Sequence, residues 1–385
     1  MSSPIAATTH HVLINGLSMG SGGGFTVGKE LLRHLAIARP AWKFTLAIIA
    51  GHTLHEEITR ESLPANCYVM RAPSTTSGKV ARMRYERGEF AQWASSNGVT
   101  RLIQLNGMII PTINIPTLSH NQDPWPYRPQ AYIHWKEHVV AFFKRRAQRE
   151  ALKKADCLGF TSEYLRDLLI ERNGIRPNCA EVFYNGLAES WLERARQPLP
   201  DWNSRPMEIV TVSNVHPYKR NHLVIQALPA LLKRPGLSEL VYHIVGHCEP
   251  VFREQLESLA RNLGVERHVI VHGRLDDAKT QERYRQARAF VMMSVCESFG
   301  IPAIEAMTFG TPVVTSDCCA MPEVCGDAAI LTPVDDVDSL ARNIEIALTD
   351  ATRVEQMRAK GAERVQKFRW GDSAEAMARA LERMG

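Results

Sequence analysis

Short apolar runs alternate with longer amphipathic segments along the whole chain. Residues 11–16, 44–50, 100–105, 208–212, 241–246, 269–275, 289–293 and 311–316 are rich in apolar and β-branched residues and are bounded by glycine, proline or polar clusters. Runs of that length and continuity predict strands buried on both faces of a parallel sheet. Between them, helical periodicity predicts helices at about 26–38, 79–96, 135–155 and 298–310, with a last one after Trp370. The order strand, helix, strand predicts an α/β fold. Pro198, Pro200 and Pro206 interrupt it over residues 194–206, which read as an interdomain linker. The expected domains are therefore 1–195, 196–369 and a terminal helix, 370–385, that crosses back to the first domain.

Chemistry concentrates in residues 296–305, Cys-Glu-Ser-Phe-Gly-Ile-Pro-Ala-Ile-Glu. The chain leaves a buried strand here. Ser298 is expected to cap the next helix, Pro302 suits its first turn because no amide hydrogen is needed there, and Gly310 ends it. The amides of Phe299, Gly300 and Ile301 would then point outward from a helix N-terminus, which attracts anions. Glu297 at the strand end and Glu305 one turn inside the helix can face one crevice, and each carboxylate can accept two hydroxyl hydrogen bonds. Phosphate at the amides with a polyol on either side describes a nucleotide sugar. The bland alternative is a capped surface helix with two solvated glutamates.

The ten-residue string resembles the glutamate-x7-glutamate motif of glycosyltransferase family 4, the group 1 glycosyltransferases. These are retaining enzymes of GT-B fold, with two Rossmann-like domains facing a central cleft and a nucleotide-sugar donor. The resemblance is specific over about 208–340 and weaker before it. It implies that Glu297 binds hydroxyls of the transferred sugar, Glu305 the ribose, and the amides of Phe299, Gly300 and Ile301 the diphosphate. It further implies that Lys219 holds the diphosphate and stabilises the leaving group, that the backbone at Arg274 lies near the nucleobase, and that His120 lies beside the reacting sugar. Gly22, Gly23 and Gly24 would let the first domain approach donor phosphates and acceptor. One position departs from the family: Asn214 or Tyr218 stands where an arginine is expected, and Arg220, one step displaced, is the substitute the sequence offers.

That resemblance implies transfer of a hexosyl unit, with mannosyl as the guess, to a saccharide acceptor, lipid-linked, in cell-envelope polysaccharide (lipopolysaccharide-type) synthesis. No metal or other cofactor is expected, since helix amides and Lys219 supply fixed positive charge. A nucleotide-sugar epimerase of the same fold and an inactive sugar-nucleotide-binding protein are the rival readings.

Other motifs resolve differently. The glycine stretch after the first strand fails both the dinucleotide fingerprint, because Phe25 replaces the last glycine, and the P-loop, because Glu30 follows Gly28-Lys29. Ser119 to Tyr127 is expected to be a loop at a strand end, with Trp125 and Tyr127 as flat surfaces for acceptor. Lys79, Arg82, Arg84 and Arg87 read first as a solvated face. Residues 135–155 form a basic amphipathic helix in which Val139, Phe142, Phe143 and Leu152 are available for packing; a solvated face and contact with the anionic inner face of a membrane are its two readings. Asp336-Val337-Asp338 spells a metal-binding D-x-D but precedes a helix, where aspartate caps.

Composition adds limits. With 385 residues, 45% hydrophobic and 23% charged, the chain can form two ordinary domains. Residues 1–195 hold 23 Lys and Arg against 16 Asp and Glu, and the remainder 23 against 25, so the positive excess is in the first half. It is diffuse and gives no case for nucleic acid. Eight cysteines without C-x-x-C spacing indicate neither zinc nor a disulfide framework, and a reducing cytoplasm fits, with attachment to the inner membrane face as the extension. The N-terminus shows no signal pattern. The sequence leaves the oligomeric state open.

Overall fold

In the computed structural model, which describes residues 9–19, 23–52, 58 and 63–385, the apolar runs become two all-parallel sheets. The chain divides into a first unit of Met1–Pro126, Val140–Asn185 and Arg369–Gly385, and a second of Tyr127–Val139 and Gly186–Phe368.

The first sheet contains β1 (His11–Asn15), β2 (Lys43–Ile49), β3 (Cys67–Ala72), β4 (Arg101–Gln104), β5 (Thr117–Asn121), β6 (Cys157–Phe160) and β7 (Ala180–Val182), in the order β3-β2-β1-β4-β5-β6-β7. Every residue of β1 is buried, as a central strand covered on both faces requires. The helix Gly23–Ala38 packs against the terminal helix Trp370–Arg383. Trp370, Met377 and Leu381 enter the core formed by Val12, Leu31 and Phe44. Polar contacts fix that helix further: Arg39 pairs with Glu375 and Glu382, each at 2.7 Å, and Arg101 donates to the Leu381 carbonyl at 2.9 Å. The segment 79–96 is helical but changes pitch, with a π-helical stretch Glu86–Phe90 that buries both Glu86 and Phe90.

Two expectations change here. Cys157 and Cys179 form a disulfide, with Cα atoms 4.7 Å apart, where the spacing indicates none. The pair is hidden in sequence because a helical crossover separates neighbouring strands. Leu158 on β6 is in register with Ala180 on β7, so the residues just before them stand side by side. Ser119, His120 and Asn121 also lie within β5 and not in a loop.

The second sheet contains β8 (Glu208–Val212), β9 (Val241–Val245), β10 (Val269–Gly273), β11 (Ala289–Met292), β12 (Val313–Ser316) and β13 (Ala329–Thr332), in the order β10-β9-β8-β11-β12-β13. Helices Asn221–Leu231, Pro250–Asn262 and Val337–Thr349 bury Leu228, Leu256 and Ile344 against Ile209, Tyr242 and Val291 of the sheet. Asp336 caps the last of these, accepting from the Ser339 amide at 2.9 Å. The D-x-D is thus a cap.

In this sheet the chain winds outward in one direction from β8 and in the other from β11. Those neighbours mark the topological switch point, where the loops at the strands' carboxyl ends diverge and leave a crevice.

Candidate functional site

Both loops that leave the β8/β11 switch point carry a charged residue toward it. After β8 the chain makes a 3-10 turn, Pro217–Lys219, and Arg220 enters the left-handed region at φ 56° before the helix Asn221–Leu231 begins. After β11 it continues through Ser294 and Val295 to Glu297. The two loops are tied together, since the Val295 amide donates to the Tyr218 carbonyl at 3.0 Å.

The Lys219 ammonium then donates to Glu297 Oε1 at 2.5 Å, with the two side chains only 12% and 10% exposed. Burial pushes the lysine pKa down, but the adjacent Glu297 carboxylate more than offsets it and leaves the pKa raised. Lys219 is therefore charged at neutral pH. Removing either partner would strand a buried charge, at a cost of about 3–5 kcal/mol.

Beyond Glu297, the helix Ile301–Thr308 starts later than the sequence pattern suggests. Its cap is Gly300, at φ 91°, with no side-chain cap, so Ser298 does not cap it. The left-handed conformation explains the difference, because it turns the chain sharply and a Cβ on Gly300 would meet Met321 Sδ at 2.7 Å. Phe299 is buried and packs edge-on against Phe368 at 5.1 Å. The N-terminal amides of this helix have no intrahelical acceptor.

Glu305 lies inside that helix but has a partner of its own. The Tyr284 hydroxyl donates to its Oε2 at 2.8 Å. Tyr284 is fully buried and lies parallel to Phe309, with centroids 6.0 Å apart. Burial raises the Glu305 pKa to about 7, against a smaller opposing effect of the Tyr284 hydrogen bond. The two glutamates thus occupy different environments: Glu297 is in an ion pair, and Glu305 is near its own titration point at neutral pH.

The remaining candidates are more scattered. Arg220 faces Asp335 at 3.6 Å. Asn214 is exposed in the loop after β8, and Arg274 is exposed beyond β10, an edge strand two places from β8. Gly22 lies outside the described residues, while Gly23 and Gly24 already belong to the helix Gly23–Ala38 and not to a loop. His120 is buried, and that burial lowers its pKa to about 4, so it is neutral at physiological pH. Tyr127 is buried and offers no open stacking surface, and Trp125 lies beneath the Lys144 ammonium at 5.1 Å. Burial therefore speaks against Tyr127 as a flat acceptor surface, while Trp125 is half-buried.

Sequence reasoning missed Arg128. Its Nε donates to the Val295 carbonyl at 3.0 Å, two residues before Glu297, and the turn Pro129–Ala131 packs against the turn Pro217–Lys219. No periodicity marks a single arginine between two prolines. Its partner lies 167 positions away in the chain.

Comparison with known proteins places this geometry. Residues 196–364 match the family model of glycosyl transferases group 1. The chain is 38% identical over 98 residues to O-antigen chain mannosyltransferase B of Escherichia coli, a match covering 26% of each chain. The chain spans from 21% to 53% of the length of the curated relatives it matches. Among solved structures, Anabaena HepE in complex with UDP and glucose aligns with TM-score 0.75 at 17% identity, covering 97% of this chain and 99% of that one. WaaG, a glycosyltransferase involved in lipopolysaccharide biosynthesis, aligns with TM-score 0.68 at 16% identity over 96% and 99%. The chain has the GT-B fold, and its residues 196–364 are similar to the group 1 glycosyl transferases.

Proposed function

We propose that the protein is a retaining glycosyltransferase that moves a hexosyl unit, mannosyl in the first instance, from a nucleotide-sugar donor to a saccharide acceptor, lipid-linked, in cell-envelope polysaccharide synthesis. The observation that carries this reading is the buried Lys219–Glu297 pair at the β8/β11 switch point, next in sequence to a helix N-terminus. Relatives named as mannosyltransferases and a structural neighbour holding UDP and glucose support the donor class.

As the bond between anomeric carbon and phosphate oxygen breaks, negative charge collects on the departing diphosphate. The Lys219 ammonium and the amides at Gly300 and Ile301 are fixed positive groups that need no reorganisation to meet it. That supply of charge removes the need for a divalent ion. Glu297, already engaged by Lys219, accepts from sugar hydroxyls on its remaining lone pairs, and Glu305 accepts from the ribose. Retention follows from attack on the face the phosphate leaves, with the phosphate taking the acceptor's proton, and it requires no second carboxylate as nucleophile.

The test is calorimetry with GDP-, UDP-, ADP- and dTDP-sugars in EDTA, with Glu305→Ala as control, followed by NMR of the product's anomeric configuration. Tight binding of one donor, lost in the variant, with retained configuration in the product, is the expected result. An inverted product, or an altered nucleotide sugar released without acceptor, would replace this reading with another.

A further inference from the structure

Cys318 and Cys319 stand side by side in the turn that follows β12, and the fold keeps their sulfur atoms together, 3.7 Å apart. Both residues are half-buried. The turn is held in place, since Cys319 adopts φ 59°, which a residue with a side chain takes only where its surroundings fix it. Cys67 and Cys325 are the contrast: burial pushes their thiols up to about 11 and about 12, as in packed cysteines that do no chemistry.

The pair is seated on the loop that carries Glu297. Cys319 Sγ donates to the Val295 carbonyl at 3.1 Å, and Arg128 Nε donates to that same oxygen at 3.0 Å. A guanidinium so close to a thiol favours its thiolate. Asp317, the acid of this turn, is exposed, where solvent and salt screen its charge. The Cys318 thiol is shared between the Ser294 carbonyl at 3.5 Å and the Cys319 sulfur at 3.7 Å. Its hydrogen bond to Cys319, together with burial, raises the Cys318 pKa. Cys318 therefore keeps its proton and offers it toward Cys319, so the two sulfurs are suited to different parts of one reaction.

We propose that Cys318 and Cys319 form a redox modification site in which Cys319 is the attacking thiol, Cys318 the resolving thiol, and a disulfide between adjacent residues the product. With hydrogen peroxide as oxidant, the Cys319 thiol takes one oxygen atom to become a sulfenic acid and releases water. The Cys318 sulfur then attacks the sulfenic sulfur, and the hydroxyl leaves with the Cys318 proton as a second water. Each sulfur loses one electron, and the peroxide is reduced. Consecutive Cα atoms are about 3.8 Å apart, closer than the roughly 4.4 Å lower end for ordinary disulfides, so this bond is strained and readily reduced again. Forming it draws the sulfurs from 3.7 Å to about 2.05 Å, which takes at least one of them off its carbonyl on the Glu297 loop. The expected effect on donor binding rests on the proposed donor site; the chemistry of the pair does not.

Peptide mapping of the peroxide-treated full chain by mass spectrometry, with remaining thiols alkylated, tests the site. The peptide holding both cysteines should lose two hydrogen atoms, escape alkylation and regain both thiols in dithiothreitol. In Cys318→Ser, Cys319 should stop at the sulfenic acid and be trapped by dimedone, whereas in Cys319→Ser, Cys318 should be alkylated as in untreated protein. Calorimetry with the nucleotide sugar that binds reduced protein should show affinity at least about tenfold weaker after oxidation, the scale of one displaced hydrogen bond to a charged group. Dithiothreitol should restore it, and both serine variants should show no such loss. Absence of the disulfide, or dimedone trapping of Cys318 in place of Cys319, would overturn the proposal. Disulfide formation in a protein whose reduced form binds no nucleotide sugar would support the modification site and remove the donor-site reading instead.

Discussion

The two sheets reverse direction at equivalent places, between β1 and β4 in the first and between β8 and β11 in the second, yet they treat the space there in opposite ways. In the first, the last residues of β1 and β4 are Asn15 and Gln104. Asn15 Nδ2 donates to Glu86 Oε1 at 2.8 Å and to Gln104 Oε1 at 2.9 Å, and its own Oδ1 accepts from the Leu17 amide at 3.1 Å. All three polar side chains are buried. In the second, the strand ends are apolar and the polar groups come from the loops beyond, where Lys219 meets Glu297. One switch point is closed by an internally satisfied amide network. The other holds ionic groups, a helix N-terminus and a carboxylate poised to titrate. Topology alone therefore creates a place for a ligand but not a reason for one to bind.

The sharpest way to break this comparison is Lys219→Ala. If the second switch point carries the reaction, turnover should fall about 100- to 1,000-fold, as when a fixed donor to developing charge is removed, measured as kcat with the donor identified by calorimetry. Because the variant also leaves Glu297 buried without its partner, Lys219→Ala with Glu297→Gln should recover stability in thermal melts without recovering rate. A wild-type rate in Lys219→Ala would take this residue out of the scheme.

A smaller effect should follow from Glu305. On the proposed reading its carboxylate accepts ribose hydroxyls, more strongly when ionised, and its pKa is raised to about 7. Donor affinity should therefore rise as pH increases through about 7 and level off above it. Glu305→Gln should flatten that dependence. Tyr284→Phe removes the hydrogen bond that lowers this pKa, so its inflection should move to higher pH. A pH-independent affinity in the wild type would show that the ribose is held elsewhere. Next in size, Gly300→Ala places a methyl group against Met321 at φ 91° and should cost about 1–3 kcal/mol in thermal or denaturant melts.

Legibility in the sequence follows the same division. In the second unit, the proposed site sits in local strings: the ten residues 296–305 and the short run 213–221 carry both strand-end loops, so Glu297 and Glu305 stand out by their spacing and Lys219 by its resemblance to the family pattern. Even there, Ser298 misleads as a cap, because a serine in a plausible position competes with a left-handed glycine that only tertiary packing against Met321 requires. In the first unit, β1, β2 and β4 are legible from apolar runs while β3, β5, β6 and β7 are not, and the partners that matter are distant in sequence. Asn15 and Gln104 meet across 89 positions, Cys157 finds Cys179 through strand register, and Arg128 reaches Val295 across 167 positions. No pattern of spacing encodes such contacts. The exposure of Phe142 and Phe143, 56% and 62% where packing is expected, is hidden for the same reason, since periodicity shows that a helix has faces but not which of them the fold covers.

The least disruptive substitution, Glu86→Gln, probes the comparison from the quiet side. Burial raises the Glu86 pKa, against the smaller opposing effect of the hydrogen bond from Asn15, and Asn15 needs from it only an acceptor oxygen, which glutamine retains. Little should change: donor affinity within about twofold and stability within about 1 kcal/mol, the scale of one hydrogen bond exchanged for another. If the amide network is only a plug, kcat with acceptor present should also stay at the wild-type value. A tenfold fall in kcat with unchanged donor affinity and melting temperature would mean that the Glu86 carboxylate touches the acceptor, and the first switch point would then be a working site whose groups happen to satisfy one another when no saccharide is bound.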